Sequence, residues 1–476
     1  MSRPAGAWFL PVALGGIAGL NLLSAATLGW GWMQVWASVT LLLAVLPTWQ
    51  YLGDAGDHLP VFPLIAIVYG IYFGLGAFLP FDPYPKLADV SQASLDRAAF
   101  YGLLGLLGLN VGYQLLPSPR QTPDGPPALE AALGSPAFKG LLVVLGLIGI
   151  GANFFNFLAL VPKAFGALLN LASEMTFLAI ALYFHRQLTT GLEVWERLFL
   201  WALLIPAMAV TAFATSLIAP LMRLFALLLM VYIYSKRTFP LRFLLVGGLL
   251  LFPLMAFKLQ YRKIEAASAL GKFGSVTNIV DKANLFTKVV TESVIQGDSE
   301  ALSAGMDSVA QRIDLLHSFA NITDLCPRVV PYLRGETYAN LPWKFVPRLL
   351  YPDKPVELSA NDVGHQFGML EEDDDTSTLN LPQLVELYVN FGPWGILPGM
   401  IVIGLIYRSL KNFLLFAGDG PVQSITILLL FTSLLQIESH FSGVFGSLVY
   451  SVVVFSFLGK LLQFSSRPSA SPVAAG

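Results

Sequence analysis

Residues 335–395 read GETYANLPWKFVPRLLYPDKPVELSANDVGHQFGMLEEDDDTSTLNLPQLVELYVNFGPWG. Arg348, Lys354, Asp362, His365 and Glu386 stand here between apolar runs, in a chain with few charges elsewhere. The stretch ends by entering a segment apolar enough to cross a bilayer. Prolines at 342, 347, 352 and 355 each lack an N–H donor and restrict the preceding residue, so no regular helix is expected over that part. Arg348 and Lys354 are accordingly read on a stiff, extended loop.

Working outward, 55% of the 476 residues are hydrophobic and 12% are charged, against roughly 25% charged in soluble domains. Apolar runs of about 18 residues recur along the chain. The fold class that follows is an all-α polytopic membrane protein. A net charge of -2 says little, because in such a protein the placement of the charges matters more than their sum. One cysteine, Cys326, excludes an internal disulfide and a thiolate metal cluster, and it reads as a small buried apolar side chain.

Candidate spans cover residues 8–27, 33–51, 60–79, 98–116, 140–160, 167–184, 198–218, 221–234 and 241–257, then 384–407, 422–437 and 444–464. That is about twelve helices. The first run has the length of a signal peptide, but the second follows it after a Gly-Trp-Gly turn, which favours a retained hairpin. The chain therefore divides into an N-terminal bundle of about nine helices (1–257), an extracytoplasmic loop segment (258–383) between helices 9 and 10, about three C-terminal helices (384–464) and a tail (465–476). With the amino terminus inside, Arg120, Lys139, Arg186, Arg197, Lys236, Arg237, Arg408 and Lys411 fall in cytoplasmic loops, while Lys86, Arg97, Lys163 and Arg223 fall outside. Both termini are then cytoplasmic.

Within the outer segment, Leu302, Met306, Val309, Ile313 and Leu316 repeat at helical spacing, which predicts an amphipathic helix over 299–319, on the membrane surface or capping the bundle. Residues 323–327 are expected to break to loop. There is no Gly-rich phosphate loop, His-Glu-x-x-His pair or Gly-x-Ser-x-Gly elbow. Nothing points to nucleic acid as a partner. The acids from Glu371 to Asp375 repel one another and lack ligand spacing, so they read as a solvated loop tip rather than a metal site. Glu174, inside a span, is expected to face the bundle and make a structural hydrogen bond.

A pattern joins Arg312, Thr323 to Pro327, Gly335-Glu-Thr-Tyr338, Pro347-Arg348, Tyr351-Pro-x-Lys354-Pro355 and Glu386-x-Tyr-x-Asn390-Phe-Gly. It resembles the Wzy-type polysaccharide polymerases, the oligosaccharide repeat unit polymerases of bacterial O-antigen and exopolysaccharide assembly. The resemblance covers roughly residues 312–395; beyond them the chains agree only in having many helices. It implies a GT-C-like fold in the bacterial cytoplasmic membrane and a transfer on its outer face. The growing glycan moves from undecaprenyl pyrophosphate to the next lipid-linked repeat, alongside a flippase and a chain-length regulator as pathway partners.

The residues make chemical sense of that transfer. A glycosyl pyrophosphate already has a good leaving group, so the protein must neutralise phosphate, orient a hydroxyl and accept its proton. No cofactor or metal is called for. Arg348 and Lys354 are assigned to the donor pyrophosphate, with Arg312 as a second cation, because arginine's planar fork pairs with phosphate oxygens. Their alternative role is to pair with Glu336, Asp353 or Glu357. Tyr338 and Asn390 are placed on the substrate side. Glu386 and His365 are the candidate bases, and Glu386 shares a helix face with Asn390 four residues on. Glu386 as the structural partner of an arginine remains the competing reading. Two other functions also stay open: an O-antigen ligase with a lipid A core acceptor, and a lipid-linked sugar transporter, for which no repeated halves are visible.

Overall fold

The computed structural model describes residues 31–53, 59–78, 90–118, 134–157, 166–214, 219–256, 313–339, 341–344, 346, 360–368, 381–416, 420–446, 448 and 451–452, with scattered positions between 281 and 310. Every regular element among them is helical. In chain order these are α1 (Trp32–Gly53), α2 (Val61–Gly74) with a 3-10 turn (Leu75–Phe78), α3 (Gln92–Gln114), α4 (Pro136–Phe157), α5 (Gly166–Thr189) and α6 (Val194–Leu198). A π-helical turn (Phe199–Leu204) leads into α7 (Ile205–Ala214), followed by α8 (Ala219–Lys236), α9 (Leu241–Ala256), α10 (Leu316–Leu325), α11 (Gln383–Phe391), α12 (Pro393–Phe416) and α13 (Pro421–Thr432). Short helical turns occupy Glu336–Ala339, Leu341–Lys344 and Ala360–Gln366.

Among the described residues, six stretches are long and apolar enough to cross a membrane: Trp32–Gly53, Val61–Phe78, Pro136–Phe154, Val194–Thr211, Ala219–Lys236 and Pro393–Leu415. The protein is thus all-α and built for a membrane. The spans expected at 8–27 and over most of 444–464 lie outside the described residues. α3 and α5 are as long as these six but less apolar. Residues 175–186 of α5 are all buried, so this helix has no lipid-facing side to make apolar over that stretch. Its Glu174 does face the bundle, where Arg223 of α8 binds it through both terminal nitrogens (Nη2 to Oε2, 2.8 Å). Arg223 also donates to Thr432 of α13 and lies over the Phe177 ring.

α3 and α12 pack backbone to backbone. A Cβ on Gly112 would stand 2.0 Å from the Ile401 carbonyl oxygen, and one on Gly404 would stand 2.4 Å from that of Leu109. Small residues permit this approach, which replaces hydrophobic gain as the source of helix attraction in lipid. The helices run in the same direction, with Gly108 against Leu397 and Gly112 against Ile401. Arg408 and Asn412 cap the carbonyls of Leu116 and Pro117 at the far end. Arg97 and Trp394 therefore lie toward one end of the pair, and Arg408 and Lys411 toward the other.

Three expectations need correction. The apolar run 384–407 is not one span. Gly392 (φ +68°) ends α11 and Pro393 starts α12, so the membrane-length helix begins there and Glu386 lies on a separate short helix. The amphipathic helix over 299–319 is interrupted at residues 314–315, because the Asp314 carboxylate accepts from the backbone N–H groups of Leu316 (3.0 Å) and His317 (3.2 Å) and starts a new helix. That helix, α10, continues through Thr323 to Leu325, where loop was expected, and packs on α3. Finally, part of the proline section is helical. Pro342 is second in the turn Leu341–Lys344, where its missing N–H costs nothing.

Candidate functional site

α11 is short because Pro382 precedes it and Gly392 closes it. The Gly392 N–H bonds back to the Tyr388 carbonyl at 2.7 Å. A Cβ there would stand 2.9 Å from the Tyr332 ring, so conformation and space both demand glycine. Residues 383–390 are buried throughout. Gln383, Glu386 and Asn390 fall at helical spacing and form one polar face. On the opposite side the Tyr388 hydroxyl donates to the Cys326 carbonyl (2.9 Å), and its ring meets Tyr101, Phe319 and Tyr332. Cys326 is buried and free as expected, and burial pushes its thiol up to about 11.

The polar face is covered by a strap, residues 332–338. Leu333 and Arg334 donate backbone N–H groups to the carbonyls of Val389 and Asn390, both at 3.0 Å, which satisfies the carboxyl end of α11. The Asn390 side chain completes the join. Its oxygen accepts from the Gly335 N–H (2.9 Å), and its nitrogen donates to the Thr337 hydroxyl and to the Glu386 carbonyl, each at 2.8 Å. Two left-handed residues, Arg334 (φ +50°) and Gly335 (φ +94°), turn the strap. Tyr338 then stacks on Phe391, 5.9 Å between ring centroids, and leans on Phe441. Burial, with the Glu386 carboxylate beside it, pushes the Tyr338 phenol well above its ordinary range. Tyr338 stays neutral at any physiological pH.

Glu386 has no exposed surface. Its Oε2 accepts the Phe441 N–H at 2.6 Å, where helical residues 441–446 begin and the helix dipole favours a negative charge. Gln383 lies one turn before it. Its oxygen accepts from the Tyr407 hydroxyl at 2.7 Å and from the Tyr69 hydroxyl at 3.4 Å, which ties α2, α11 and α12 together. The arrangement holds one buried carboxylate in fixed orientation at the start of helical residues 441–446.

Of the residues singled out by sequence, Glu386, Asn390 and Tyr338 come together. His365 is half-buried in the turn Ala360–Gln366, and among the described residues no hydrogen bond joins it to Glu386. Arg312, Arg348, Lys354 and the acids 371–375 lie outside the described residues. Sequence reasoning missed Gln383, Tyr69 and Tyr407. Gln383 was the findable one, since a polar residue three before Glu386 extends the same face. No protein-family model, curated protein or solved structure matches the chain.

Proposed function

We propose that the protein is a membrane-embedded glycosyltransferase that polymerises undecaprenyl-pyrophosphate-linked oligosaccharide repeats into O-antigen or exopolysaccharide on the outer face of the bacterial cytoplasmic membrane, with both termini inside. The supporting observation is the strap. Its lock on Asn390 joins residues 332–338, which precede Arg348 and Lys354 in sequence, to the short helix that carries Glu386 just before a membrane span in the chain. In this reading an acceptor hydroxyl attacks the anomeric carbon of the donor sugar and its bond to pyrophosphate breaks. Undecaprenyl pyrophosphate leaves with the negative charge, held by Arg348 and Lys354, and the hydroxyl proton passes to Glu386. Glu386 has no exposed surface, so the hydroxyl reaches it only after the surrounding residues open.

Membranes of cells carrying Arg348→Ala are expected to lose long-chain polymer at normal protein level. Arg348→Lys keeps the charge but not the paired geometry and also fails substantially. Lys354→Arg is milder. Wild-type chain lengths from Arg348→Ala would remove the donor assignment.

A further inference from the structure

Both substrates of the proposed reaction carry pyrophosphate on a polyprenyl chain, and the cations around Arg348 serve only the donor. A second anion site is needed at the same membrane boundary. We propose that Arg97 and Arg328, joined through Asp324, hold the pyrophosphate of the acceptor, an inference that rests on the polymerase reading.

The three side chains form a built unit across α3, α10 and the turn after α10. Asp324 Oδ2 accepts from Arg328 Nη2 at 3.0 Å, and its Oδ1 accepts from the Ser94 hydroxyl at 3.0 Å. Arg97 Nη2 donates to the same hydroxyl at 2.8 Å and lies 3.9 Å from Asp324 Oδ1. One carboxylate thus aims two guanidinium groups and leaves a net positive charge. The Arg97 and Arg328 side chains are 49% and 69% exposed, so both remain accessible from solvent. Such forks match paired phosphate oxygens.

The place in the fold is also right. Arg97 lies two turns before Gly105, where α3 meets Leu384 of α11, toward the end of the bundle that carries Trp394. Trp394 is 90% exposed at the start of the apolar span, the residue type that settles at the lipid–water boundary. Tyr101, one turn after Arg97, meets the Tyr388 ring at 5.6 Å between centroids, and Tyr388 meets Tyr332 at 6.1 Å, so packed rings join the arginine pair to α11. Thr323 to Pro327, part of the sequence pattern, acquires a role through Asp324. Exposed ion pairs contribute little to stability, so neutralising this one separates binding from folding.

The test uses the full chain in phosphatidylethanolamine nanodiscs, with undecaprenyl pyrophosphate as probe and native mass spectrometry to count bound carriers. The wild-type protein is expected to hold two. R97Q/R328Q should hold one and R348A one, and the combination none. R97Q/D324N/R328Q leaves no unpaired carboxylate and should also hold one while remaining monodisperse, which excludes a folding defect as the cause. Inorganic pyrophosphate should displace the carrier at the Arg97 site, while phosphatidylglycerol should not. Two carriers on R97Q/R328Q, a single wild-type carrier lost in R348A, or equal displacement by phosphatidylglycerol would overturn the proposal. Two carriers with the expected losses but no polymer made would support the site and overturn the polymerase reading instead.

Discussion

At the scale of single residues, the account turns on whether Glu386 is a base or only a cap for Phe441. Glu386→Gln keeps an oxygen for the Phe441 N–H and removes the basic one. Transfer is then expected to slow by about 10²-fold in a purified assay, the scale of general base catalysis, with melting temperature nearly unchanged. Glu386→Ala leaves that N–H buried without a partner and should lower stability by about 1–3 kcal/mol as well. His365→Ala, in a turn that makes no hydrogen bond to this face among the described residues, should slow transfer less. Full turnover by Glu386→Gln would reduce the carboxylate to its capping role. The partnership of Glu386 and Asn390 was legible in the sequence, because four-residue spacing on a helix is independent of tertiary context. What Asn390 does was not legible. Its contact with Gly335 and Thr337 spans more than fifty residues and depends on how the strap folds back.

Among elements, the close pairing of α3 and α12 decides where α11 and its polar face sit. Gly112→Leu puts a side chain where the Ile401 carbonyl stands, and should abolish accumulation of folded protein in the membrane. Gly140→Ala on α4, where an added Cβ meets nothing within 4 Å, is the matched control. It should be neutral or raise stability by about 0.5–1 kcal/mol through the usual helix preference for alanine. Comparing thermal unfolding of the two in detergent checks both. The boundary between α11 and α12 shows why element limits were harder to read than element existence. Continuous apolarity through Gly392-Pro393 favoured one span, although proline at a first helical position and glycine just before it carried the opposite signal. Asp314 falls between Ile313 and Leu316 of the expected apolar stripe, and its short carboxylate caps the next helix instead of continuing the first.

For the whole molecule, composition and periodicity sufficed for an all-α membrane protein, because bilayer thickness imposes a length that apolar runs reveal directly. α3 and α5 were read as spans like the rest; lower apolarity sets both apart from the six, and residues 175–186 of α5 are buried throughout. Topology is the first global test. Reporters active only outside should signal when fused near Asp324 and stay silent near Arg408, and the reverse would overturn the outer-face reading. The most direct measurement is extension of a synthetic undecaprenyl-pyrophosphate-linked repeat by the purified protein, with glycan length and released carrier followed together, with and without EDTA. The account predicts a ladder of products, one carrier released per bond formed, and no dependence on the chelator. A folded, monodisperse protein that yields no ladder from any lipid-linked repeat, or that moves the repeat across a sealed vesicle membrane without joining two of them, would contradict it.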